Sequence, residues 1–225
     1  MFRMLRLNPP HGWNAVAWEL IIVTAGVLIA LAAQQWVEER GWHDRVAHAD
    51  AAIREELQTA SGNARERVAM NDCMAGKLDE IEKLLLTTSG QFVRPPYVSR
   101  YWSITRLWPT DAWETDKNND VIAHMPPDRA GAYASIYTDL VQIREEEALE
   151  QQHVADLAIL PHFVGRMSDM TRDRLLSAVT RSRRDNDLVV RDSGQIVVLI
   201  HELGVTDPPD SLLPTCNSLQ EPMPS

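Results

Sequence analysis

The stretch 20–33, LIIVTAGVLIALAA, carries no charge, and across 15–37 the only ionisable side chain is Glu19. A helix of this composition has no polar face to offer water, which confines it to a bilayer or to a deep core. Roughly 20 apolar residues are needed to cross the hydrocarbon, so the charge-free run needs its flanks. Trp18 and Trp36 bracket it eighteen positions apart (36 − 18), or about 27 Å along a helix. That matches the hydrocarbon thickness, and Trp favours the two membrane interfaces. The spacing predicts one transmembrane helix over 15–37, with Trp18 and Trp36 at the interfaces and 1–14 as a short tail. Gly26 and Ala30 form a small-xxx-small step on which another membrane helix can pack. A cleaved signal peptide is the competing reading, with Arg3 and Arg6 as its basic start and Ala30-Leu31-Ala32 as its cleavage site. The helical pattern running on through Gln34, Trp36 and Val37 favours the anchor. Arg3 and Arg6 have no acidic neighbours, whereas Arg40 and Arg45 are mixed with Glu38, Glu39 and Asp44. A short basic tail is more easily retained than translocated, which places the N-terminus in the cytoplasm and the rest outside. In a bacterium this means the inner membrane and the periplasm.

After the membrane segment, 38–205 reads as a helical bundle domain and 206–225, with five prolines, as an extended tail. Residues 38–87 read as one long helix continuing from the span. Val46, Ala49, Ile53, Leu57, Ala60, Ala64 and Val68 recur at steps of three and four, and Leu78, Ile81 and Leu85 extend the stripe. Gly62 and Asn63 mark a candidate kink. Residues 90–127 form a Pro- and Trp-rich connector, with short helices expected over 98–106 and 111–118. Pro127 suits the first position of a helix over 127–160, which carries Tyr133, Ile136, Tyr137, Leu140 and Ile143. A further helix is expected from about Thr171 to Leu203. Within it, 188–200 (LVVRDSGQIVVLI) reads either as helix or as a hairpin around Asp-Ser-Gly. The fold class is all-α: a transmembrane helix running into a long helix that packs in a three- to four-helix extracytoplasmic bundle.

Composition narrows the chemistry. A net charge of −10 excludes the broad basic face of a nucleic-acid binder. Two cysteines, Cys73 and Cys216, are too few for a disulfide scaffold, but in an exported domain they suit one bridge from tail to bundle. Glu150 and His153 form the sole Glu-x-x-His pair. A di-iron bundle needs two such pairs plus two further glutamates, so Glu150 and His153 are weak metal candidates and read as a solvated face. The run Glu145-Glu146-Glu147 reads in the same way. None of the short nucleotide-, phosphate- or nucleophile-bearing motifs is present, so no catalytic residue and no cofactor are expected. Trp102, Trp108 and Trp113 fit either a partner or ligand surface or a lid over the bundle's end.

The stretch 18–39, WELIIVTAGVLIALAAQQWVEE, followed by Trp42 and IREEL (53–57), resembles a group of uncharacterised bacterial single-span proteins. The segment AHMPPDRAGAYASIY (123–137) also resembles that group. The resemblance implies a membrane-tethered all-α protein of unassigned activity and carries over no catalytic residues. Together these readings describe an accessory or interaction subunit in the bilayer, with a membrane-protein partner or a homodimer formed through the span. A ligand-binding or sensory module is the alternative, and an enzyme the third reading.

Overall fold

The computed structural model describes residues 12–87, 91–92, 104–160, 163 and 165–208. The protein is all-α. Its helices are α1 (Gly12–Ala69), α2 (Asn71–Thr87), α3 (Asp111–Asn118), α4 (Pro127–Leu157) and α5 (Asp169–Glu202), with a 3-10 turn at Ile122–His124. Two-residue strands β1 (Gln91–Phe92) and β2 (Gly165–Arg166) pair antiparallel, Gln91 opposite Arg166. The chain divides into two compact units between His48 and Ala49, and α1 extends through both.

In the first unit, α1 is long and apolar enough to cross a membrane, and none of that apolar stretch is buried. Leu20, Ile21, Ile22, Val23, Val27, Leu28, Ile29 and Leu31 all expose more than half their surface. One turn beyond, the Arg40 guanidinium sits 5.1 Å from the centre of the Trp36 ring, and that of Arg45 sits 4.6 Å from Trp42.

The second unit is built on conventional apolar stripes. Ala49, Ile53, Leu57, Ala60 and Ala64 are buried along α1 at steps of three and four, and Met74, Leu78, Ile81 and Leu85 continue along α2. Within this unit α5 packs against both α4 and α2. Leu78, Ile81 and Leu85 meet Leu157, Leu160, Met167, Leu175 and Val179 in one apolar cluster. Pro127 occupies the first turn of α4 beside Asp128, as its fixed φ and missing N–H favour. Ser168 caps α5, its hydroxyl accepting from the Thr171 amide at 3.2 Å. The helix ends at Glu202, and Gly204 just past it has a φ of +68°, which suits glycine.

One open alternative resolves to helix, and several expectations change. Residues 188–200 are helical throughout, because Val189, Ile196 and Ile200 are buried at helical spacing. The helix is unbroken through Gly62 and Asn63; the irregular residue is Met70, and the bonds Met70 N–H to Glu66 O and Met74 N–H to Met70 O carry the turn across it. Gly62 instead answers to close packing, since a Cβ there would stand 2.9 Å from Pro208 Cγ. Residues 104–110 are irregular rather than the end of a helix, and 98–103 lie outside the described residues. Val68, expected in the core, is 40% exposed, and its neighbour Arg67 takes the buried place.

Leu140 on α4 has no exposure, while Leu149 on the same helix is half exposed. Leu140→Ala is expected to destabilise by about 2–5 kcal/mol and Leu149→Ala by under about 0.5 kcal/mol. Denaturant midpoints of the two variants check this.

Candidate functional site

The apolar stripes of α1, α4 and α5 are interrupted at one level by polar side chains, and these meet. Arg67 near the end of α1 is fully buried. Its guanidinium bonds Glu150 of α4 at 2.5 Å and the Asn186 side-chain oxygen of α5 at 3.1 Å, with Met74 Sδ against its other amine. Asn186 donates in turn to Asn71 Oδ1 at 2.8 Å. Glu147, one turn before Glu150, is buried and accepts from the Arg106 backbone N–H at 3.3 Å. Arg106 pairs with Glu66 through its side chain, which holds the irregular stretch 104–110 over this centre. The Trp108 indole lies beside Glu147 and favours its ionised form without closing a well-formed hydrogen bond.

Burial is the largest influence on both glutamates and pushes them above the ordinary carboxylate range. The Trp108 indole and the Arg106 amide pull Glu147 back in part, with smaller help from Arg67, and Arg67 pulls Glu150 back. One oxygen of each carboxylate, Arg67 Nε and Ser182 Oγ are buried with no protein partner. The centre is therefore a guanidinium paired with the Glu150 carboxyl, with the Glu147 carboxyl nearby, closed to solvent.

Nearer the start of α4, two tyrosines tie this helix to acids of α1. Tyr133 donates to Asp50 at 2.7 Å and Tyr137 to Glu56 at 2.6 Å. Burial first, then the acidic acceptor, pushes Tyr133 up to about 12, and Tyr137 is raised for the same reasons. On the open side of α4 and α5, Asp139, Gln142, Arg191, Asp192 and Gln195 line a cavity of about 210 Å³.

The sequence-derived candidates fall as follows. Glu150 and His153 share a face of α4 but turn to different partners, Glu150 to Arg67 and His153 to Asp185. No group of three or more His, Cys, Asp or Glu converges to hold a metal among the described residues. Glu147 and Glu150 are core residues rather than members of a solvated face. Trp108 and Trp113 are 3% and 7% exposed, and Trp113 stacks on Tyr137 at 5.1 Å. Packing thus accounts for both indoles, and neither offers a face to a partner; Trp102 lies outside the described residues. Cys73 is disulfide-bonded and packs beside Met70, Met74 and Ile104; Cys216 lies outside the described residues. Trp18 and Trp36 are exposed at the ends of the apolar stretch, and a Cβ at Gly26 would meet nothing. Ala30 is exposed on the same helix. Sequence reasoning missed Arg67 by choosing Val68, one position on. The available signal was α4, where Glu147 and Glu150 stand in the three-four series running from Leu140 and Ile143 to Leu157.

No family model, curated protein or solved structure matches the chain.

Arg67→Met leaves the buried Glu150 carboxyl without its cation and is expected to destabilise by about 3–5 kcal/mol near neutral pH. Arg67→Met with Glu150→Met removes both charges and is expected to restore most of the loss. Because the folded-state value of Glu147 is raised, the folded state keeps a proton that the unfolded chain releases. Stability therefore falls as pH rises from the ordinary glutamate value through the folded one, and the cost is absent below that window. Glu147→Gln is expected to flatten this slope, measured as urea midpoints between about pH 4 and 8.

Proposed function

We propose that the chain is a single-span membrane protein whose second unit works outside the cytoplasm as an interaction or accessory subunit. The observation that carries this reading is the fully exposed apolar stretch of α1, with Trp18 and Trp36 at its ends and Arg40 over the Trp36 ring. Exposing eight large aliphatic side chains to water has no offsetting gain, whereas lipid accepts them, and a Trp–Arg pair suits the headgroup level. Arg3 and Arg6 beside the apolar run support a cytoplasmic N-terminus. The resemblance of 18–57 to bacterial single-span proteins supports the inner membrane, with the second unit in the periplasm. An accessory role rather than catalysis is supported by the buried centre, whose charged groups are committed to one another. Gly26 and Ala30 offer the step through which a membrane partner or a second copy packs.

The cavity lined by Asp139, Gln142, Arg191, Asp192 and Gln195 favours one second reading, a module that binds a small polar ligand and signals through a partner.

Leu28→Arg puts a charge at the middle of the span and is expected to oppose insertion by about 2.5–3.5 kcal/mol. In fractionated cells, the parent chain should resist carbonate extraction and the variant should be released or degraded. An alkaline phosphatase fused after Ser225 should be active. Carbonate-soluble parent protein would overturn the anchor, and an inactive fusion would overturn the orientation. Cross-linking in native membranes, followed by gentle extraction, should recover a defined membrane protein bound through the span. A lone monomer would overturn the accessory role.

A further inference from the structure

The chain that leaves α5 runs along α1 in a regular register. Arg54 donates to the carbonyls of Leu203 and Gly204 at 3.1 to 3.2 Å, and Gln58 donates to that of Thr206 at 3.0 Å. Ser61 and Arg65 both donate to the Asp207 carboxylate, at 2.6 and 2.7 Å. Pro208 packs on the bare backbone of Gly62. Positions 54, 58, 62 and 65 lie on one helix face, so the chain advances toward the end of α1 as its own numbering rises. Its heading is held by Asp207, which receives Ser61, Arg65 and His201 together; burial pushes its carboxyl up, and Ser61, His201 and Arg65 jointly outweigh that and hold it below the ordinary range.

Directly ahead lies a groove of about 300 Å³ between α1 and α5, lined by Arg65, Val68, Ala69, Gly194 and Val197. Its walls are methyl groups, glycine backbone and the Arg65 side chain, and Val68 is 40% exposed although it stands next to the fully buried Arg67. Beyond the groove on the same face, eight positions past Arg65, is Cys73, which is disulfide-bonded. The chain has one other cysteine, Cys216.

We infer that residues 209–215 lie in this groove as a strap, seating Leu212 and Leu213 against Val68, Ala69 and Val197, with Cys216 bonded to Cys73. The spans agree. From Gly62 to Cys73 is eleven positions (73 − 62), or about 17 Å of helix. From Pro208 to Cys216 is eight positions (216 − 208), which reach at most about 27 Å when extended. The slack lets the strap bend into the groove while Pro209 and Pro214 keep it out of helix. Leu212 and Leu213 are the only large apolar residues between Pro208 and Cys216. The strap is a matter of the second unit alone and stands whether or not the anchor and its partner are as proposed.

The test uses the full chain in detergent micelles. With a photo-reactive benzoylphenylalanine replacing Leu212, irradiation of a mixture of isotope-labelled and unlabelled chains should give same-chain cross-links to 65–69 or 194–198. Non-reducing digests should contain a peptide joining Cys73 to Cys216 within one chain. Leu212→Asp with Leu213→Asp should lower the melting temperature by roughly 5 °C, while Met223→Asp should leave it unchanged. Cross-links between chains, or only to other parts of the molecule, would overturn the strap. So would a disulfide joining Cys73 of two chains, or a double variant that melts with the parent.

Discussion

Arg67 is a guanidinium with no exposure, and moving such a group out of water is tolerable only where acceptors meet it at fixed positions. Glu150 supplies the counter-charge from α4 and Asn186 supplies an oxygen from α5, while Asn186 is itself oriented by Asn71 at the start of α2. Four helices thus contribute to one directional contact set. Apolar stripes alone permit two helices to slide by a turn with little loss. Sliding α4 by a turn here would leave a cation and an anion buried apart, which the apolar contacts cannot offset. The helix register of the second unit depends on this cluster.

Elsewhere in the second unit the same logic is repeated at lower stakes. The rings of Tyr133 and Tyr137 fill the core between α1 and α4 while their hydroxyls reach Asp50 and Glu56. Trp113 brings α3 onto the same face by stacking on Tyr137, and the Ala112 amide donates to Glu56 at 2.8 Å. The irregular stretch 104–110 is held by Arg106 on Glu66 and by the Arg106 amide on Glu147. Each element thus adds both apolar area and a polar tie that fixes its position.

Much of this was legible in the chain because helical periodicity is a local property. The stripes from Ala49 to Ala64 and from Leu78 to Leu85, the proline start of α4 and the glycine stop of α5 all follow from spacing and backbone chemistry. The hairpin reading of 188–200 failed because β-branched residues express only a weak preference, which burial at helical spacing overrides. The buried centre was not legible, since the three-four pattern admits either 67 or 68 after Ala64, and hydrophobicity selects Val68. The partners that make Arg67 the inward residue stand 83 and 119 positions away in the chain.

The amino-acid sequence by itself determined that the protein is helical and that one stretch of it is too apolar for water, because composition and periodicity act over a few turns of a single helix. Only the tertiary structure decided which charged side chains belong to the core, that Trp108 and Trp113 pack inward, and that Gly62 receives Pro208. Those outcomes depend on what a residue meets across the fold. A buried charge or a missing side chain has an acceptable energy only once its distant partner is in place.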